Sequence, residues 1–183
     1  MTVGELLDLL ASCEGFYDSL GDDGDPIPIL DHSLQCAARV AERAPDDEEL
    51  IVAGLVHDIG HRLQPGHPAE HGVIAADAVR GLLGPRVAAL VELHVPAKRY
   101  LVTVDDGYRA VLSSGSTASL GRQGGKLSDA ERAALERRPE LADALTLRRA
   151  DEAAKDRDAV VPGLDHWRPM VERVANSGEK RAP

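Results

Sequence analysis

The side chains in this sequence that could do chemistry are chiefly histidines, and they are unevenly spaced. Of the seven histidines, five form an ordered series: His32, His57, His61, His71 and His94. The series is densest in HDIGH at 57–61, where Asp58 follows the first of two histidines that are four residues apart. Residues four apart share one face of a helix, so both imidazoles can project into one cavity. Because the two oxygens of Asp58 can bridge two cations, the cluster predicts a metal site.

The alternative interpretation is that these histidines are ordinary core residues, each satisfied by a hydrogen bond. His32 and His94 do lie within apolar helical patterns, as such core residues would. A neutral imidazole buried without a partner costs about 1–3 kcal/mol, so a core that only had to fold would not collect five of them. The series therefore favours metal binding. His67 and His166 lie outside the series and are predicted to be surface or capping residues.

Helices are the elements that must position these side chains. Ala, Leu, Glu and Arg dominate the sequence, and strand-type alternation is nearly absent, which predicts an all-α helical bundle. We expect helices near 3–12, 31–43, 48–60, 69–83, 86–95, from 128 onward, 140–155 and 165–175. Gly, Pro, Ser and Asp clusters predict a lid-like loop at 14–30, a Gly- and Ser-rich loop at 113–127 and a frayed tail at 176–183. These elements are expected to form a single domain over residues 1–183.

Composition excludes several classes of partner. The 183 residues carry a net charge of −10 and only 3% aromatic residues, which argues against nucleic-acid binding. No apolar run approaches about 18 residues, and the N-terminus lacks a basic region and a cleavage site, so neither a membrane span nor a secretory signal is expected. Cys13 and Cys36 form no CxxC pair, which suits a reducing, cytoplasmic location. The oligomeric state is left open by the sequence.

The order of the candidate ligands resembles a known family. His32, then His57-Asp58, then a distant Asp151 match the H…HD…D signature of the HD-domain superfamily, a helical metal-dependent fold whose members are mainly phosphohydrolases. Further blocks resemble its mixed-valent diiron oxygenase branch, which includes myo-inositol oxygenase and the oxygenase that cleaves 2-amino-1-hydroxyethylphosphonate. These blocks are DHSLQCAA at 31–38, HDIGH at 57–61, LHVPAKRYL at 93–101, SLGRQGG at 119–125, LRRADEAAK at 147–155 and LDHWRPM at 164–170.

The resemblance implies a pair of iron ions in the mixed-valent Fe(II)/Fe(III) state, with dioxygen as co-substrate. One iron would be bound by His32, His57, Asp58 and Asp151, and the second by Asp58, His71 and His94. Imidazole and carboxylate groups suit iron, and three protein ligands leave positions for substrate and dioxygen. Asp58 would thus be catalytic as well as a ligand.

Basic residues near these ligands suggest a small anionic organophosphonate as the substrate. Lys98 lies about one helical turn beyond His94, and Arg148 lies three residues before Asp151, so each shares a helix face with a candidate ligand. A positive pocket in an acidic protein fits a phosphate or phosphonate. The arginine that follows each of these two residues is predicted to be a solvated surface charge.

Three further site residues are predicted, two of them from the resemblance. Ser116 and Gln123, from the Gly- and Ser-rich loop, would hydrogen-bond the phosphonate together with Lys98 and Arg148. Composition alone would equally allow that loop to be a flexible connector. His61 is assigned a catalytic or substrate-contacting role beside the metals, rather than a role as ligand.

The segment at 14–30 departs from the family. The phosphonate enzymes have a Tyr and, shortly after it, a Glu that together cover the open iron. Tyr17 is present and the resemblance assigns it a catalytic role, but Leu20 stands where the Glu is expected. The segment also carries four aspartates: Asp18, Asp22, Asp23 and Asp25. An acidic cover would favour an amine or quaternary ammonium group on the substrate.

The leading interpretation is an iron-dependent dioxygenase that cleaves the C–P bond of a small 1-hydroxyphosphonate and releases phosphate. The alternative is an HD-superfamily phosphohydrolase that acts on a nucleotide or another phosphate ester with Mg, Mn or Co ions. A third possibility is an HD-like binding module without catalysis, which the complete set of six candidate ligands argues against.

Overall fold

The computed structural model describes residues 1–18 and 24–179 of the chain. Its helices are α1 (Val3–Ala11), α2 (Ile29–Arg43), α3 (Glu48–Val56), α4 (Ile59–Leu63), α5 (His71–Val104), α6 (Ser114–Arg122), α7 (Asp129–Glu136), α8 (Leu141–Ala153) and α9 (Leu164–Glu179). A 3-10 helix, Tyr108–Val111, connects α5 to α6. Within these described ranges there is no strand, which confirms the predicted all-α fold.

One hydrophobic core joins most of these helices. Fully buried aliphatic side chains contribute to it from distant parts of the chain, among them Leu6 in α1, Leu55 in α3, Leu90 in α5 and Val171 in α9. The long helix α5 packs against α3, α8 and α9, while α2 packs against α3 and α8. Helices α2, α3, α5 and α8 therefore surround a common interior, and they carry most of the candidate ligands.

The helix predicted at 48–60 is divided in two. α3 ends at Val56, and His57 and Asp58 form a turn before α4 begins. The start of α3 is capped by Asp47, whose carboxylate accepts a hydrogen bond from the backbone N–H of Leu50 at 3.1 Å. Because the turn interrupts the helix, the adjacent side chains of His57 and Asp58 can both point toward the same interior.

Helix α5 has two parts, which meet where the sequence predicted a break at Gly84-Pro85, and its second part continues past Pro96, where a helix end was predicted. Gly84 has φ of +88° and kinks the helix at the expected place. Pro96 does not end it, although a proline inside a helix costs about 3 kcal/mol. The next turn offsets this cost because Ala97 and Leu101 are buried in apolar surroundings. One element therefore carries side chains for both chemistry and anion binding.

Helix α6 replaces much of the loop predicted at 113–127. The hydroxyl of Ser113 accepts a hydrogen bond from the N–H of Ser116 at 3.0 Å, which caps the helix. Gly115 in the first turn lies so close to another segment that a Cβ there would be 2.8 Å from the backbone nitrogen of Asp25. Two of the small residues that indicated a loop thus support the helix: Ser113 caps it, and Gly115 allows the close approach of Asp25.

Helix α9 is longer than the predicted boundary at residue 175. The tail predicted at 176–183 is helical as far as Glu179, and 180–183 lie outside the described residues. A Cβ at Gly178 would be 3.1 Å from the carbonyl oxygen of Leu82, so the glycine allows α9 to pack closely on the kinked part of α5.

Candidate metal centre and anion cavity

Six side chains from separate parts of the fold form two adjoining groups. His32 lies on α2, His57 and Asp58 lie in the turn between α3 and α4, His71 and His94 lie on α5, and Asp151 lies on α8. The first group consists of His32, His57 and Asp151, and the second of Asp58, His71 and His94. Each group brings its potential ligand atoms within 4.8 Å of one another, so each could hold a metal ion.

The carboxylate of Asp58 lies between the two groups. Its Oδ2 is 3.4 Å from the Nε2 atoms of both His32 and His57. Its Oδ1 is 3.3 Å from Nε2 of His71 and 3.6 Å from Nε2 of His94. One oxygen therefore faces each group, which is the arrangement that a carboxylate bridging two ions requires.

The four imidazoles are oriented by backbone carbonyl groups. Their Nδ1 atoms lie 2.6–2.9 Å from the carbonyl oxygens of Ala154, Gly54, Pro68 and Val91, which pair with His32, His57, His71 and His94 in that order. A carbonyl can only accept a hydrogen bond, so each Nδ1 carries a proton, and in its neutral form each ring turns an Nε2 lone pair toward the centre. Such carbonyl contacts are the usual support of metal-binding histidines.

The facing lone pairs test whether the site fits a metal. Nε2 of His71 is 2.8 Å from Nε2 of His94, and Nε2 of His32 is 3.2 Å from Nε2 of His57. Two unprotonated nitrogens cannot hydrogen-bond each other, whereas a cation between them turns the repulsion into coordination. The donor set of nitrogens and carboxylate oxygens therefore fits a pair of transition-metal ions.

The charge states of Asp58, Asp151 and His94 also suit metal binding. Burial favours the protonated form of both carboxyl groups, but the imidazoles around Asp58 and the guanidinium beside Asp151 hold each pKa well below its usual range. Burial lowers the pKa of His94 well below its ordinary value, and the neighbouring His71 adds to this effect. Ionised carboxylates and neutral imidazoles are the forms that bind metals.

A cavity of about 390 Å³ adjoins the two groups and contains the predicted anion-binding residues. Lys98 is only 4% exposed, and its Nζ donates a hydrogen bond to Ser119 Oγ at 2.8 Å. Within the described residues it forms no ion pair with a carboxylate. Burial and the charge of Arg148 lower the pKa of Lys98 to about 7. A buried ammonium with spare hydrogen-bond donors is a ready partner for an incoming anion.

Arg148 lines the same cavity and is firmly held. Its guanidinium donates to Asp151 and Glu152 and, at 2.8 Å, to the hydroxyl of Tyr108. A further hydrogen bond of 3.0 Å reaches Ser116 Oγ. Burial opposes the charge, but the two carboxylates outweigh it and raise the pKa of Arg148. The group is therefore a fixed cation beside one of the candidate ligands.

Ser116 and Gln123, which were predicted to hydrogen-bond the substrate, also line the cavity. The hydroxyl of Ser116 donates to Glu152 at 2.8 Å and accepts from Lys155 at 2.7 Å in addition to Arg148. Gln123 donates at 3.5 Å to the carbonyl of Pro68, while its buried Oε1 has no partner among the described residues. Both side chains thus line the cavity, but the Ser116 hydroxyl is already hydrogen-bonded to three groups, whereas Gln123 has an acceptor without a partner among the described residues.

The remaining predicted residues divide between the cavity and the surface. His61 lines the cavity and stacks on His71 with ring centroids 4.0 Å apart, and burial beside His71 lowers the pKa of His61 to about 3. Tyr17 is 38% exposed and is not brought to the cavity, which Phe16 lines instead. The expectations for Leu20, Asp22 and Asp23 lie outside the described residues. His67 and His166 are exposed, as predicted.

Sequence reasoning missed one ion pair in this cavity. Lys155, on the connection after α8, donates to Asp25 Oδ2 at 2.6 Å and to Ser113 Oγ at 2.8 Å. Its position four residues after Asp151 was a usable signal, because the same spacing drew attention to Lys98. Of the arginines that were predicted to be surface charges, Arg99 binds Glu131 at 2.9 Å and Arg149 is exposed.

Comparisons with known proteins agree with this geometry. The HD domain family matches residues 29–156, a range that contains all six side chains of the two groups. A [1-hydroxy-2-(trimethylamino)ethyl]phosphonate dioxygenase (glycine-betaine-forming) from Leisingera caerulea is 34% identical over 173 residues, which is 88% of each chain. A hydroxymethylphosphonate dioxygenase from Gimesia maris is 36% identical over 168 residues, 87% of this chain and 80% of the relative.

The chain therefore belongs to the HD-domain family of helical metal-site proteins. Within that family it belongs to the group that contains these two phosphonate dioxygenases, which confirms the resemblance drawn from the sequence. Among the described helices, none combines the length and the hydropathy needed to cross a bilayer.

Proposed function

We propose that this protein is a metal-dependent dioxygenase that cleaves the C–P bond of a small 1-hydroxyphosphonate. One observation carries the proposal. The two ligand groups, which meet at Asp58, line a cavity that Lys98 also lines, and the buried ammonium group of Lys98 has no carboxylate partner among the described residues. A metal pair and an anion anchor in one cavity suit a substrate with an oxygen donor beside a phosphonate. The names of the two relatives support this substrate class.

The proposed reaction balances without a further reductant. A 1-hydroxyphosphonate, R–CH(OH)–PO₃²⁻, and O₂ give R–COO⁻, HPO₄²⁻ and H⁺. The C–P and C–H bonds of the hydroxylated carbon break, that carbon is oxidised by four electrons, and dioxygen accepts all four. Both oxygen atoms of O₂ are accounted for in the carboxylate and the phosphate.

We further propose that the cofactor is a pair of iron ions in the mixed-valent Fe(II)/Fe(III) state. His32, His57 and Asp151 would hold one ion, His71 and His94 the other, and Asp58 both. When bound, the pair supplies the Lewis acidity and the one-electron chemistry that dioxygen requires. The carbonyl contacts at each Nδ1 keep the imidazoles aimed at these positions before any ion arrives.

The protein side chains bind and orient the substrate. Lys98 has two N–H groups beyond its bond to Ser119 that can donate to a phosphonate, and the unpartnered carbonyl oxygen of Gln123 can accept a hydrogen bond from the neighbouring hydroxyl. Arg148 adds a fixed positive charge. Ser116 joins them by exchanging one of its present hydrogen bonds for the phosphonate. His61, stacked on His71, would contact the substrate or hold that ring in place.

An oxygen electrode combined with a phosphate assay tests the proposal. Protein loaded anaerobically with Fe(II) should consume one O₂ per phosphate released from hydroxymethylphosphonate, and it should bind about two irons per chain. Phosphate release from phosphate esters that proceeds without O₂, with none from the phosphonate, would instead establish the phosphohydrolase.

A further inference from the structure

The charges around the substrate cavity are not confined to the phosphonate anchors. Asp25 reaches the cavity from the irregular segment that precedes α2, and its Oδ2 is 2.6 Å from Nζ of Lys155. The two side chains are only 15% and 13% exposed, so solvent screens this pair weakly. Lys155 also donates to the hydroxyls of Ser113 and Ser116 at 2.8 and 2.7 Å. All three of its N–H groups are therefore used, and the charge of Asp25 is matched by an ammonium of the protein itself.

The position of this pair is fixed by packing as well as by charge. Gly115 at the start of α6 leaves room for the backbone and carboxylate of Asp25, since a Cβ there would be 2.8 Å from both. The hydroxyl of Ser113 donates to the same carboxylate oxygen at 3.1 Å. These contacts fix the carboxylate of Asp25 against α6, so it is not free to turn toward a substrate in the cavity.

The described lining of the cavity does not offer the other features that recognise a quaternary ammonium group. Such groups are bound by the faces of aromatic rings, usually with carboxylates nearby. Apart from the imidazoles, the aromatic residue among the described lining is Phe16, and the Arg62 guanidinium already lies 5.4 Å from its ring centroid. Asp18, the other lining aspartate of this segment, is also engaged. The described lining also carries four basic side chains: Lys98, Arg122, Arg148 and Lys155.

We infer that the cavity selects 1-hydroxyphosphonates with an uncharged substituent, hydrogen or a short alkyl group, over those that carry a quaternary ammonium group. Lys155 is the residue that determines this preference, because its ammonium group already pairs with the carboxylate of Asp25, which an ammonium substituent would otherwise bind. The inference rests on the proposed function and identifies its substrate class. It reverses the expectation that the acidic segment favours a cationic substituent.

A competition between two substrates tests the inference. Hydroxymethylphosphonate should have a kcat/KM at least about tenfold higher than [1-hydroxy-2-(trimethylamino)ethyl]phosphonate, a difference of about 1.4 kcal/mol. In Lys155→Gln the ratio should move at least about tenfold toward the ammonium substrate, whereas Lys155→Arg should keep the wild-type ratio. A wild-type enzyme that prefers the ammonium substrate, or a ratio that Lys155→Gln leaves unchanged, would overturn the inference.

The dependence on Asp25 provides a second, independent variant. The shift in Lys155→Gln requires the released carboxylate, so the double variant Asp25→Asn/Lys155→Gln should lose it. Asp25→Asn alone should retain the wild-type preference for the uncharged substituent. If Lys155→Gln fails to fold, a loss of that preference in Asp25→Asn would still contradict the assignment.

Binding of unreactive analogues separates this inference from the proposed function. Methylphosphonate and 2-(trimethylamino)ethylphosphonate lack the hydroxyl group, and their affinities for the metal-loaded protein are measurable by calorimetry. Tighter binding of methylphosphonate supports the inference even if no phosphonate is turned over, a result that would remove the dioxygenase proposal alone. Turnover of both substrates with equal preference and equal analogue affinities would remove the inference and leave the proposed function standing.

Discussion

Asp58 is the residue on which both groups of candidate ligands depend. Its two oxygens lie 3.3–3.6 Å from four different imidazole nitrogens, so among the described residues it is the side chain placed to bind an ion in either group. Together with Asp151, its carboxylate would offset the charge of two metal ions in a largely buried interior. Its removal should therefore act on metal content before it acts on chemistry.

We expect Asp58→Ala to lower the affinity for both metal ions by at least about 100-fold and to abolish oxygen uptake. Metal analysis after gel filtration and an oxygen electrode measure the two effects. Asp77→Asn is a suitable control, because this aspartate on α5 is 70% exposed. Retention of two ions by Asp58→Ala would contradict the bridging role.

If Lys98 binds the substrate as proposed, we expect that binding to depend on pH. Its pKa of about 7 lies below the ordinary lysine value because of burial and Arg148. A bound phosphonate favours the charged ammonium, so binding above pH 7 should take up a proton and affinity should fall as the pH rises. Calorimetry at pH 8 in buffers of different ionisation enthalpy measures the uptake. Lys98→Arg, which stays charged, should show affinity that varies only with the ligand's own ionisation.

The same shift fixes the sign of one contribution to stability. Between pH 7 and the ordinary lysine value, unfolded Lys98 binds a proton that the folded residue has released. The unfolded state therefore holds more protons, and this residue's contribution to the free energy of unfolding rises with pH through that window.

Much of the candidate site could be predicted at the level of residues. The histidine series pointed to a metal site, and the resemblance to the HD-domain oxygenases named the six side chains that the structure brings together. The pair of Asp25 and Lys155 was missed, since it joins residues 130 positions apart and depends on how an irregular segment folds back. Tyr17 was placed by its order in the sequence, which does not determine where a side chain in such a segment points.

At the scale of elements, the approach of α4 to α5 positions the second ligand group. A Cβ at Gly60 would be 2.0 Å from the carbonyl oxygen of His71, so only glycine permits this contact. The first residue of α5 is thereby brought to Asp58.

Gly60→Ala should displace the start of α5 and lose one of the two metal ions, with a large loss of activity. Gly81→Ala is the matched control on α5, because a Cβ there meets nothing within 4 Å. That control should keep both ions and gain about 0.5–1 kcal/mol of stability. Metal analysis and thermal unfolding compare the two variants; equal metal content would show that the contact is not needed.

The elements that sequence reasoning misjudged share one physical cause. Pro96 and the glycines and serines of α6 carry local preferences against a helix, and these preferences gave the predicted ends and loops. Burial of Ala97 and Leu101 and the Ser113 cap outweigh them. Such tertiary contributions do not show in a window of neighbouring residues, whereas the composition that predicted an all-α fold averages over the whole chain.

For the whole molecule, the metal centre should contribute to stability. Without ions, the interior contains two ionised carboxylates and four imidazole lone pairs at close range. Ions that bind only the folded state at 100 times their dissociation constant add about 2.7 kcal/mol, which raises Tm by roughly 5–11 °C for a chain of this size. Thermal unfolding of iron-loaded and chelator-treated protein under anaerobic conditions measures the difference. Asp58→Ala should show no such increase.

His94 and Lys98, four residues apart, both lie on the second part of helix α5. The rise along an α-helix is about 1.5 Å per residue, so the two positions stand about 6 Å apart along its axis, whatever molecule enters. On the proposed function, we therefore expect this spacing to limit the distance between the oxygen donor of a substrate and its phosphorus. A 2-hydroxyphosphonate has one more carbon between its hydroxyl group and its phosphorus, so it does not match this spacing. It should bind in the cavity as an inhibitor without being consumed.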